Sequence, residues 1–71
     1  MEIFILRTNI DSKDDFASVK NDLDHSYRIN ECTIDLDDRD KVVRVVGENI
    51  KKEEVLSRIN SLGFNCEELP D

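Results

Sequence analysis

The chain has 71 residues, too few for more than one core, so residues 1–71 are expected to form one small domain without an enzyme's separate cofactor and substrate domains. Seventeen acids against ten bases leave a net charge of −7, with ten acids and four bases between Asp11 and Asp40. That balance disfavours nucleic acid and anionic membranes, which both demand a basic face, while one proline and two glycines argue for an ordered chain.

Met1 to Leu6 is apolar but far short of the roughly 20 residues that span a bilayer, and no basic region precedes it. Neither a membrane span nor a signal peptide is expected, and the chain reads as cytoplasmic. Glu2 to Arg7 predicts a strand with Ile3 and Ile5 on one face and Phe4 and Leu6 on the other; apolar residues on both faces mark a central strand. Thr8 to Asp11 turns the chain. Ser12-Lys13-Asp14-Asp15 reads as a capping box, with Ser12 accepting from the amide of Asp15 and Asp15 returning the bond. The helix that starts there carries Phe16, Val19 and Leu23 on one stripe, favours Asp14 and Asp15 at its positive end, and stops at Asp24-His25-Ser26.

Ile29 to Leu36 alternates Cys32, Ile34 and Leu36 against Thr33 and Asp35, which predicts a half-buried strand. Asp37 to Asp40 forms a hairpin loop, Lys41 to Val46 returns as a second central strand, and Gly47 breaks it. From Lys52, a stripe of Val55, Leu56, Ile59 and Leu62 predicts a second helix opened by Glu53 and Glu54, with Gly63 as its left-handed end. Phe64 to Leu69 makes a last strand, stopped by Pro70.

The order β-α-β-β-α-β is that of the ferredoxin-like α+β sandwich. Right-handed crossovers then give an antiparallel sheet of order 4-1-3-2, with both helices on one face and the other face open. Cys32 and Cys66 fall on opposite edges, roughly 14 Å apart, too far for a disulfide. With no CxxC and no framework spacing, both read as small buried apolar side chains.

Ile34-Asp35-Leu36, the third strand up to Gly47, Glu53-Glu54-Val55 and Gly63-Phe64 together resemble the heavy-metal-associated domain. That family includes copper chaperones and the amino-terminal domains of copper-transporting P-type ATPases, and the resemblance covers nearly the whole chain. It implies this same fold, a metal loop at Ile10 to Asp15, and an aromatic ring at Phe64 packed beneath that loop. The family's Met-x-Cys-x-x-Cys is replaced here by Ile10-Asp11-Ser12-Lys13-Asp14-Asp15. Ile10 keeps the apolar anchor, whereas Ser12 and Asp15 stand at the two cysteine positions and offer no soft ligand. Arg7 stands where the family has an inward-facing residue, so a loop one residue longer is expected, with Phe4 and Leu6 facing in and Arg7 out.

His25 has no nearby partners for catalysis or ligation and is expected in an exposed turn. Asp35, Asp37, Asp38 and Asp40 lack the glycine and glutamate of an EF-hand loop and read as a solvated hairpin. No phosphate-cradling glycine loop and no nucleophile with its base are present, so no enzyme is expected. The expected function is a non-enzymatic protein-interaction or regulatory module that has lost its thiolate ligands and carries no cofactor. The alternative keeps copper or zinc, through Cys32 or Cys66 between molecules or through oxygens near Asp11, Ser12, Asp14 and Asp15. The expected contact face for a protein partner or a second copy is the open side of the sheet, with Ile3, Ile5, Val42 and Val46 flanked by Arg7 and Arg44.

Overall fold

Six elements follow one another in the expected order: β1 (Glu2–Thr8), α1 (Lys13–Ser26), β2 (Arg28–Asp35), β3 (Val42–Glu48), α2 (Lys52–Ser61) and β4 (Cys66–Glu68). The computed structural model describes residues 1–69, and the stop assigned to Pro70 lies outside them. The strands form one antiparallel sheet of order β2-β3-β1-β4, the expected order read from its other edge. Among the described residues, no helix is long and apolar enough to cross a membrane.

The alternation in β1 and β3 decides what lies under the helices. Leu6 pairs with Val43 and Phe4 with Val45, so these side chains share one face. Leu6, Val43 and Val45 are fully buried there together with Val19 and Leu23 of α1 and Val55 and Ile59 of α2. Each such burial is worth about 1.5–3 kcal/mol, and their sum holds two short helices that would not persist alone. Asp22 and Arg58 tie the helices together at 2.6 and 2.9 Å, and that bond holds the Asp22 carboxyl below its usual range.

The end of α2 is set by backbone chemistry. Gly63 has φ +99, its N–H donates to Asn60 O at 3.0 Å, and the N–H of Phe64 donates to Ile59 O at 3.3 Å. This double closure of the last turn explains why the final strand is shorter than expected. Phe64 belongs to the helix cap and Asn65 to a loop contact, so β4 spans Cys66–Glu68, with one further bond from Leu69 N to Ile5 O.

Strand β3 also differs from expectation at both ends. Lys41 has φ 46 and closes the hairpin instead of opening the strand. Gly47 does not break β3: it lies inside it, opposite Glu2 and Ile29, and the chain turns at Asn49, whose φ is 57. A Cβ at Gly47 would lie 2.5 Å from the carbonyl oxygen of Arg28, so glycine here permits the close approach of β2 beside its bulge between Ile29 and Glu31. Gly47→Ala should therefore destabilise the fold by about 1–3 kcal/mol, seen as a lower urea midpoint at unchanged slope; an unaltered midpoint would show that β2 moves away freely.

Candidate functional site

The segment from Thr8 to Asp15 joins β1 to α1 and holds the residues that the sequence singled out. Thr8 is only 8% exposed, because residues 4, 6 and 8 share the inward side of β1. A hydroxyl there needs partners, and it has two. Thr8 Oγ1 donates to Lys41 O at 2.7 Å and accepts from the N–H of Ile10 at 3.2 Å, while the Thr8 N–H donates to Asp40 O at 3.1 Å. One side chain thus fastens the loop to the β2–β3 hairpin. On the other side, Asn9 N–H donates to Asn65 O at 3.2 Å and Asn9 Oδ1 accepts from Asn65 N–H at 2.9 Å, fastening the loop to the α2–β4 connection.

Between these two seams Ile10 is fully buried in the core, and Phe64 packs half-buried against the same cluster. Arg7 is exposed and bonded to Glu67 at 2.9 Å and Asp40 at 3.3 Å, so β1 carries Phe4 and Leu6 inward and keeps the Arg7 guanidinium out of the core. Ser12 is the N-cap of α1, with φ −144 and ψ 158, and its Oγ accepts from Asp15 N–H at 3.1 Å. The expected return bond from the Asp15 carboxylate is absent among the described residues. Aspartate is one methylene shorter than the glutamate or glutamine that closes a capping box, which leaves the cap one-sided.

The donor set on this loop is hard, and its hydroxyl is already engaged. Ser12 Oγ holds a helix amide, Asp15 and Asp14 lie in the positive first turn, and Asp11 sits 3.7 Å from Lys41 Nζ, which also donates to Leu36 O at 2.8 Å. No thiol lies between Thr8 and Asp15, so the loop does not fit a soft ion such as Cu(I). Among the described residues, no group of three or more His, Cys, Asp or Glu side chains is gathered to hold a metal.

The other candidates are dispersed. Cys32 and Cys66 are free thiols on opposite edges of the sheet, as expected. Burial pushes the Cys32 thiol up to about 11 and raises that of Cys66, whose Sγ donates to Leu56 O at 3.6 Å. His25 lies in the last turn of α1 rather than in a turn beyond it, with Nδ1 3.1 Å from Asn21 O. In the hairpin, Asp35 Oδ1 accepts from Asp37 N–H at 3.1 Å and Asp38 Oδ1 from Asp40 N–H at 2.7 Å, so both carboxylates shape the turn.

On the open sheet face Ile3 stands opposite Val46 and Ile5 opposite Arg44. Ile3 is 53% exposed and Val46 only 6%, with Ile5 and Val42 between them. Arg44 separates Val42 from Val46 along β3 and is bonded to Glu31 at 3.1 Å. The four apolar residues therefore form a narrow strip rather than one broad patch. What the sequence reading missed is the Thr8 and Lys41 hub. The signal was a polar residue at an inward-parity position of a central strand.

No protein-family model and no curated protein matches the chain. Its structure is similar to the yeast copper transporter domain CCC2A, solved in apo and Cu(I)-loaded states, with a TM-score of 0.84 and 20% identity over 100% of this chain and 99% of that one. It is also similar to a copper binding domain from HMA7, a P-type ATPase, with a TM-score of 0.82 and 19% identity over 99% and 96% of the two chains. A chain of the Atx1-Cu(I)-Ccc2a complex gives a TM-score of 0.85 and 20% identity over 100% and 99%. At these identities the likeness establishes the fold.

Two substitutions test the local chemistry. Thr8→Val should cost about 1–3 kcal/mol, because Lys41 O and Ile10 N–H lose a buried partner. Ser12→Ala should cost about 0.5–2 kcal/mol through loss of the cap. Chemical denaturation checks both, and stabilities equal to the parent would remove the roles assigned to these hydroxyls.

Proposed function

We propose that this chain is a heavy-metal-associated-like domain that has no soft-metal site on its β1–α1 loop and works, without catalysis, as a cytoplasmic protein-interaction module. The observation that carries this is at Ser12 and Asp15. Within a fold similar to copper-binding domains, these two positions close a helix cap instead of presenting thiolates. A hydroxyl and a carboxylate bind a soft ion poorly, and among the described residues no three acidic, histidine or cysteine side chains are gathered as a hard cation requires. The copper or zinc alternative would have to use Cys32 or Cys66, and burial disfavours the thiolate at both.

A protein partner is the natural ligand for such a domain. One structural neighbour was solved as a complex of Atx1, Cu(I) and Ccc2a, so this fold supports docking between proteins. We assign the contact to the open sheet face, where Ile3, Ile5 and Val42 stand between the ion pairs of Arg7 and Arg44. Its arginine and acid rim suits a partner of mixed charge more than a strongly basic one.

Cu(I) titration followed by backbone amide shifts tests the metal half of this proposal. The parent chain should show no saturable change at Ser12 or Asp15, whereas Ser12→Cys with Asp15→Cys should gain stoichiometric binding. Saturable shifts in the parent would overturn it. For the contact face, Ile3→Lys with Val42→Lys should weaken partner binding at unchanged far-UV circular dichroism, and a partner indifferent to both would exclude this face.

A further inference from the structure

Strand β2 is the long free edge of the sheet: among the described residues it pairs with β3 on one side only, and the opposite edge strand, β4, has three residues. The bulge between Ile29 and Glu31 sets Asn30 aside, leaving seven paired positions with Cys32 at their centre. Arg28, Glu31, Thr33 and Asp35 are exposed. Ile29, Cys32 and Ile34 face the helices, Cys32 buried and the two isoleucines half-buried against the core. With Asn30 removed, burial along the strand reads the same in both directions.

The side-chain chemistry follows that symmetry. Outward from Cys32 come Glu31 and Thr33, then Ile29 and Ile34, then Arg28 and Asp35. An antiparallel pair of copies with a two-fold axis at Cys32 sets Arg28 of each opposite Asp35 of the other, and Ile29 opposite Ile34. Opposed residues in an antiparallel ladder point to the same side, and each of these pairs agrees in face. Without the bulge, Arg28 and Asp35 would lie on opposite faces and could not meet.

Charge supplies the second observation. Arg7 and Arg44, the other two arginines on the strands, are in ion pairs within the chain, whereas Arg28 and Asp35 are in none among the described residues. An open groove of about 340 Å³ lies along this edge between Lys20 and Asp24 of α1 and residues 27–32, so the helix does not seal it.

We infer that two copies of this chain associate edge to edge through β2, forming one continuous antiparallel sheet of double width. The net charge of −7 on each copy opposes association, and one strand per copy buries less than the roughly 1,200 Å² of a stable complex. The dimer is therefore weak and concentration-dependent. Because the pairing is isologous, every contact away from the axis occurs twice, and a substitution at Arg28 or Asp35 counts twice.

Sedimentation equilibrium of the chain from low micromolar to millimolar concentration, at about 0.15 M salt to screen the net charge, tests this directly. The parent should show a monomer–dimer equilibrium. Arg28→Glu and Asp35→Arg should each weaken it about tenfold or more, since two attractive pairs become repulsive, and the two together should restore it. A chain that stays monomeric at millimolar concentration would overturn the inference, as would a dimer indifferent to both reversals or a swap that fails to restore. Should a variant fail to fold, contacts between Ile29 and Ile34 in a mixture of isotope-labelled and unlabelled parent chains decide the matter. Their presence supports β2 pairing and their absence in a dimeric sample excludes it.

Discussion

The hydroxyl of Thr8 is the point on which the loop end of this molecule depends. A central strand that carries Phe4 and Leu6 into the core must also carry Thr8 inward, and a buried hydroxyl without partners would cost about 1–3 kcal/mol. Its donation to Lys41 O and acceptance from Ile10 N–H remove that penalty and at the same time fix the β2–β3 hairpin and the β1–α1 loop against β1. With the loop so fixed, Ile10 fills the core and Ser12 arrives at the start of α1 in an extended conformation that suits an N-cap.

This arrangement bears on function because the loop needs no ion to hold its shape. Hydrogen bonds to Asp40, Lys41 and Asn65 anchor it from both sides, and the ammonium of Lys41 lies between Leu36 O and the Asp11 carboxylate. Fold and chemistry are thus separable. The same frame that in its structural neighbours is described with copper holds here hydroxyls whose hydrogen bonds are internal and carboxylates at a helix start. The recognition surfaces proposed for this chain, the open face and the free edge, are both made by the sheet.

Much of the frame was legible before the structure because it follows from periodicities. Alternation in Ile3 to Leu6 and Val42 to Val46 marked the two central strands, the Val19 and Leu23 spacing marked α1, and Gly63 marked the end of α2. Two departures arose where a partner, one across the sheet and one within the helix end, changed what a local signal meant. Gly47 reads as a breaker by itself but serves the approach of the Arg28 carbonyl, and Phe64 reads as strand by its β propensity but is taken by the cap of α2. At the candidate site, the cap at Ser12 was readable from residue type and spacing, and the burial of Ile10 from the family resemblance. The roles of Asn9, Lys41 and Asn65 were not, since each depends on a contact across 33 to 56 positions of sequence.

The central claim is that the β1–α1 loop is held rigid by the protein's own hydrogen bonds, and native-state amide hydrogen exchange at Ile10 tests it most directly. If Thr8 holds the loop, the Ile10 amide exchanges as slowly as those of Leu6 and Val43 in the core, unchanged by added Cu(I) or chelator, and becomes fast in Thr8→Val. An Ile10 amide that exchanges at the rate of an open loop in the parent chain, or one that gains protection when Cu(I) is added, would contradict the account.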